Sequence, residues 1–89
     1  MPKWYVYILR SHIKNYLYIG STNNLERRLN EHNQGIVQST KAYRPLDVVA
    51  YIAVETERKS RELERYLKTG SGKAILRKRI LTDEAASQA

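Results

Sequence analysis

The stretch Tyr18-Ile19-Gly20-Ser21-Thr22-Asn23-Asn24-Leu25-Glu26-Arg27-Arg28-Leu29-Asn30-Glu31-His32 changes its hydrophobic period partway along, and that change constrains the whole chain. It opens as a strand, turns tightly at Gly20, and continues as a short amphipathic helix from about Leu25 to His32. Leu25, Arg28, Leu29 and His32 fall at i, i+3, i+4 and i+7, on one helical face. Two of the four are aliphatic, as a core-facing stripe requires. The other two are a guanidinium and an imidazole. Burying either one unpaired is costly, so the pair is expected to border a cleft that receives something negative. Asn23 or Asn24 is placed to cap the helix, with Glu26 as reciprocal partner to Asn23. Gly35 is a suitable helix stop.

The remaining elements follow in chain order. Trp4-Tyr5-Val6-Tyr7-Ile8-Leu9 is aromatic and β-branched, apolar on both faces, and so reads as a covered central strand. Ser11 to Asn15 is polar and forms a hairpin connection to the return strand Tyr16-Leu17-Tyr18-Ile19, which Gly20 ends. An even loop puts Tyr7 and Tyr18 on the same sheet face, and an odd one on opposite faces; the even case is expected. Sheet tyrosines otherwise serve as packing residues. Residues 36–43 read as a loop with at most one helical turn, and Pro45 keeps Arg44 extended. Val48 to Val54 is a third, apolar strand. Thr56 caps a second helix, about Glu57 to Lys68, whose core stripe is Leu63, Tyr66 and Leu67. Glu62 and Glu64 lie about 100° either side of Leu63 and border that stripe. Gly70-Ser71-Gly72 breaks the helix, and Ala74 to Leu81 forms a third. The run Thr69-Gly-Ser-Gly-Lys73 imitates a nucleotide-binding loop, but Ala74 stands where Ser or Thr is needed and the earlier glycine is missing. The small, polar stretch after Leu81 is expected to fray, giving one domain over residues 1–82 and a disordered tail over 83–89.

Eighty-nine residues suffice for one small domain with a modest core. The formal net charge of +7 is large for that length and favours a polyanionic partner, nucleic acid first. A membrane is a poorer partner, because no helix joins a basic face to a wide apolar one. The N-terminal apolar run, Trp4 to Leu9, is too short for a signal core or a membrane span. With no cysteine in the chain, disulfides and thiolate zinc sites are excluded, and a cytoplasmic location fits.

Taken together, these residues are similar to the GIY-YIG nuclease domain over nearly the whole chain. The second half-motif is intact as Tyr18-Ile19-Gly20. The first is degenerate, Tyr5-Val6-Tyr7, and only its tyrosine matches. Leu25 to His32 resembles the family's first helix, with Arg28 on the catalytic arginine and His32 on a recurrent histidine. Leu63-Glu64-Arg-Tyr-Leu-Lys68 resembles the helix bearing the metal-binding glutamate, which makes Glu64 the match. The resemblance implies an α+β fold, a three-stranded antiparallel sheet flanked by helices in the order β-β-α-β-α-α. It also implies hydrolysis of a DNA phosphodiester with one Mg²⁺ or Mn²⁺ ion, in DNA repair or recombination.

Each implied role has a physical reason. A fixed guanidinium, Arg28, stabilises charge growing on phosphoryl oxygens. A hard dication keeps waters and needs few protein oxygens, so Glu64 alone can hold it when substrate completes the shell. Tyr7 or Tyr18 would be the base, with His32 relaying a proton or orienting a tyrosine. A free phenol titrates near ~10, so that base needs a nearby cation. Thr40, Lys41, Arg44 and Lys73 are candidate contacts to backbone phosphates. Taken singly, Arg28 would be a salt-bridge partner of Glu31, His32 a cation at a helix C-terminus, and Glu64 an i+4 partner of Lys68 worth a few tenths of a kcal/mol. Two other functions fit the same chain: a nucleic-acid-binding protein of this fold with little catalysis, and an adaptor whose basic surface meets an acidic protein. A nuclease of this size has no appended DNA-binding module, so a protein partner supplying specificity is expected.

Overall fold

A computed structural model describes residues 3–81; the tail expected over 83–89 lies outside them. Three strands, β1 (Trp4–Ser11), β2 (Leu17–Thr22) and β3 (Leu46–Val54), form one antiparallel sheet in the order β2-β1-β3. Three helices flank it: α1 (Leu25–Gln34), α2 (Glu57–Leu67) and α3 (Gly70–Ile75). A 3₁₀ turn covers Lys41–Tyr43, and α3 continues as a π-helical turn over Leu76–Ile80. The fold is α+β in the order β-β-α-β-α-α. Among the described residues no helix is long and apolar enough to cross a membrane.

β1 is central because both of its faces are apolar. Val6 and Ile8 point one way and pack with Ile19, Leu67 and Leu76 under α2 and α3. Tyr7 and Leu9 point the other way and pack with Leu46, Tyr18, Leu25 and Leu29 beneath α1. Each fully buried aliphatic side chain contributes about 1.5–3 kcal/mol. Ser11 N donates to Tyr16 O at 3.1 Å, which leaves four residues, His12 to Asn15, between the last bonded pair of β1 and β2. That even loop sets Tyr7 opposite Gly20 and Leu9 opposite Tyr18, so both tyrosines emerge on the α1 face.

Several local expectations need correction. Gly20 does not end β2, which runs on to Thr22. Glycine is needed there for a neighbouring ring rather than for a turn. Asn24 caps α1 by accepting from Arg27 N, whereas Asn23 accepts from the Arg27 guanidinium; among the described residues no reciprocal bond forms from Glu26. α2 starts at the Thr56 cap as expected, but Tyr66 is exposed. The core-facing stripe is Ser60, Leu63 and Leu67, spaced i, i+3, i+7, with Leu63 half-buried and a small residue where helix and sheet come close. Gly70-Ser71-Gly72 opens α3 instead of breaking α2. The break is made by Thr69, whose side chain caps Gly72 N. Gly72 is glycine because a Cβ there would collide with the backbone of Tyr66 and Leu67.

Candidate active site

The α1 face concentrates chemistry around the Tyr7 hydroxyl. Tyr7 lies directly across from Gly20, and a Cβ on Gly20 would sit 2.5 Å from that hydroxyl and 3.0 Å from the Tyr18 ring. The missing side chain therefore lets the Tyr7 phenol lie over β2, an edge strand. The Tyr7 and Tyr18 ring centres are 6.2 Å apart, and the His32 ring stands edge-on to both, at 5.7 and 4.9 Å. α1 brings Arg28 and His32 to this point. Its start is fixed by the Asn24 cap, and its end by Gly35, whose φ of 85° suits glycine.

A single run of hydrogen bonds links four side chains. Arg28 Nε donates to the Tyr7 hydroxyl at 3.4 Å, the hydroxyl lies 2.9 Å from His32 Nε2, and His32 Nδ1 lies 2.7 Å from Thr40 Oγ1. Thr40 donates its proton to the Val37 carbonyl at 3.4 Å. A hydroxyl whose proton is spent on a carbonyl can only accept from the imidazole. This assigns the proton of His32 to Nδ1 and leaves Nε2 as acceptor, so Tyr7 donates to His32. Tyr7, His32 and Thr40 are essentially enclosed, and among the described residues every buried side-chain N and O has a partner.

Burial governs the protonation states. It lowers the His32 pKa to about 4, with the Arg28 charge adding to the effect, so the imidazole is neutral at physiological pH. It also raises the Tyr7 phenol to about 12, against the opposing pull of Arg28. The neighbouring cation expected to depress a tyrosine is present, but desolvation outweighs it at Tyr7. Arg28 is held above its ordinary value, first by Glu31 at 2.8 Å and then by Tyr7. The same pair holds Glu31 below the usual carboxylate range. Arg28 is thus both a partner of Glu31 and a member of the tyrosine cluster.

Glu64 approaches from α2, on the other side of the sheet. Leu63 and Leu67 of the same helix pack on the aliphatic face with Val6, Ile8 and Ile19, and the Glu64 charge, the least of the influences on the Tyr7 phenol, raises its pKa slightly from there. Residues 28 and 64 therefore both influence one phenol. Glu64 Oε2 accepts from Lys68 Nζ at 2.8 Å. Among the described residues no three His, Asp or Glu side chains form a metal cluster. The Glu31 carboxylate is engaged by Arg28; Glu64 and the phenol oxygens are hard donors, of the kind that suits a largely hydrated dication completed by substrate.

The other sequence candidates divide. Thr40 does not face a phosphate: it is fully buried against His32, and the backbone turn after α1 aims it inward. Lys41 is exposed. Arg44 is exposed too, but its Nε donates to Lys41 O at 2.9 Å and its guanidinium lies against Gly35. Lys73 lies on α3, at a separate cavity. Sequence reasoning missed Thr40 as the group that orients His32. Eight residues separate the two, and only the turn at Gly35 brings them together.

The model of the GIY-YIG catalytic domain matches residues 3–79. A UPF0213 protein of Clostridium perfringens (strain 13 / Type A) is 38% identical over 65 residues, covering 72% of this chain and 69% of its own. A UPF0213 protein of Pectobacterium carotovorum subsp. carotovorum is 53% identical over 34 residues, which span 38% of this chain and 33% of that one. The solution NMR structure of a UPF0213 protein from Bacillus halodurans is 28% identical, with a TM-score of 0.49 over 82% of this chain and 80% of its own.

Proposed function

The chain belongs to the GIY-YIG catalytic domain family, and on that premise we propose that it is a divalent-metal-dependent DNA endonuclease. The observation that carries this reading is the Arg28–Tyr7–His32–Thr40 run next to the edge strand β2. Hydrolysis of a phosphodiester needs charge stabilisation on the phosphoryl oxygens and a place for the proton of the attacking water. Arg28, fixed by Glu31 and one-third exposed, supplies a positioned cation. Tyr7 is a neutral phenol, so it takes the water's proton only as it gives its own to His32 Nε2, the acceptor already bonded to it. Thr40 keeps that nitrogen free by holding the other proton. Tyr18 packs against both rings and shapes the site. Mg²⁺ or Mn²⁺ on Glu64, when bound, supplies Lewis acidity and lowers the pKa of a coordinated water. Lys41 and Arg44 provide further cations for the DNA backbone. Such an activity fits the processing of irregular DNA in repair or recombination, with specificity drawn from a protein partner.

The alternative is a nucleic-acid-binding protein of the same fold with little catalysis. It is favoured by the ion pairs already made by Arg28 with Glu31 and by Glu64 with Lys68, each at 2.8 Å. Incubation with supercoiled plasmid and with branched DNA, in Mg²⁺, Mn²⁺ or EDTA, separates the two. The nuclease reading expects metal-dependent nicking that falls about 100-fold or more in Arg28→Ala and Glu64→Ala. Binding without nicking supports the alternative, and equal nicking by all three proteins sinks the assigned roles.

A further inference from the structure

A cavity of about 240 Å³ opens between β2 and α3, and none of the residues of the candidate active site lines it. Ile19 and Leu76 give it an apolar floor, Tyr16 and the Asn15 amide contribute to its walls, and Lys73 and Arg77 bring two cations. We propose that this cavity seats one unpaired nucleotide of a DNA substrate, next to the phosphate held at Tyr7 and Arg28. The proposal rests on the nuclease reading and names its substrate class.

Three features carry it. The first is size: the space is smaller than the roughly 300 Å³ at the low end of drug-sized sites, which suits one flat heterocycle. The second is chemistry. An apolar floor accepts the face of a base, and an amide can pair with its edge. Lys73 on α3 and Arg77 in the π-helical turn that continues it both line the cavity and are placed for the phosphates on either side of the nucleotide. None of the lining residues is acidic. The third is position. Side chains alternate along β2, so Tyr18 faces His32 while its neighbour Ile19 lines the cavity. A strand of DNA crossing the β2 edge passes from one to the other. A base inside a duplex is stacked and paired and cannot enter; a single-stranded end, flap or loop can. The π-helical turn that begins at Leu76 is of a kind frequent at functional sites.

Asn15, Lys73 and Arg77 are all exposed, so changing them spares the core. Asn15→Trp fills the cavity without altering charge, and Lys73→Gln with Arg77→Gln removes its cations. Binding is measured on the full chain in EDTA, with a single-stranded oligonucleotide carrying 2-aminopurine and with its duplex. Both variants should bind the single strand about tenfold or more weakly. Asn15→Trp should leave duplex binding unchanged and abolish the 2-aminopurine response seen with wild type. The double variant should flatten the salt slope by about 1.4, two phosphates at 0.7 each. Wild-type affinity and an unaltered probe response in Asn15→Trp would overturn the proposal. Cleavage is scored separately, in Mg²⁺. Cavity-dependent binding without wild-type cleavage overturns the nuclease reading alone, and cleavage with cavity-independent binding overturns the pocket alone.

Discussion

The two faces of one sheet are buried to similar depth by opposite means. Beneath α2 and α3 the core is aliphatic: Val6, Ile8, Ile19, Leu67 and Leu76. Beneath α1 it holds hydroxyls and an imidazole: Tyr7, Tyr18, His32 and Thr40. An aliphatic face needs only shape and volume. A polar one is tolerated only if each group finds a partner, since an unpaired buried polar atom costs about 1–3 kcal/mol. On the proposed function, stability rests mainly on one side of β1 and chemistry on the other, although consecutive residues of the same strand serve both.

The sharpest way to break that division is Tyr7→Phe. The ring and its packing stay, and only the hydroxyl between Arg28 and His32 goes. Cleavage should fall about 10²–10⁴-fold, the usual share of a proton-transfer group, while unfolding free energy drops by only about 1–3 kcal/mol from the orphaned Nε2. Single-turnover cleavage beside urea unfolding reads both quantities. The mirror experiment is Leu67→Ala, which should cost about 2–5 kcal/mol of stability and leave cleavage per folded molecule unchanged. A Leu67 variant that stays folded but loses turnover would show that the aliphatic face also positions Glu64.

How legible each face was in the sequence follows the same line. The aliphatic side could be read from composition: a run of apolar residues on β1 demands cover on both faces, and Thr56 and Gly35 mark helix limits by local chemistry. The Arg28 and His32 stripe was also legible, because two polar groups at core spacing need a reason. Thr40 was not. A hydroxyl in a polar loop resembles a surface residue, and its partner is supplied by tertiary structure. Tyr66 failed in the opposite sense: an apolar ring at nearly the right spacing stayed outside, because Ser60, Leu63 and Leu67 already fill the line of contact. Glu64 is singled out by resemblance alone. Its local partner, Lys68, is the one any solvated helix would provide.

Acid should act on the polar face in its own way. His32 titrates at 6.5 when unfolded and at about 4 when folded, so between those values the unfolded chain binds more protons. The contribution of His32 is then fully present above pH 6.5 and is lost as pH falls towards 4, a total of about 3 kcal/mol. Urea unfolding of wild type and His32→Gln at pH 7.5, 6, 5 and 4 checks this. The wild-type advantage should shrink across that window, and a constant difference would mean that the imidazole is not desolvated.

The smallest effect tests the seam between the faces, Gly20. Its φ is not in the left-handed region, and Gly35 alone among the described residues has a positive φ, so alanine meets no backbone penalty there. The obstacle is the Tyr7 hydroxyl 2.5 Å from the new Cβ. Overpacking of this kind costs about 1–3 kcal/mol, and relief requires the phenol to move off His32 Nε2. Gly20→Ala should therefore lower both stability and cleavage, and a Tyr7→Ala background should remove most of the stability cost, a coupling that a double-mutant cycle measures. If the two changes proved additive, glycine at this position would be serving strand geometry and not the phenol, and Tyr7 would reach the β2 edge without its help.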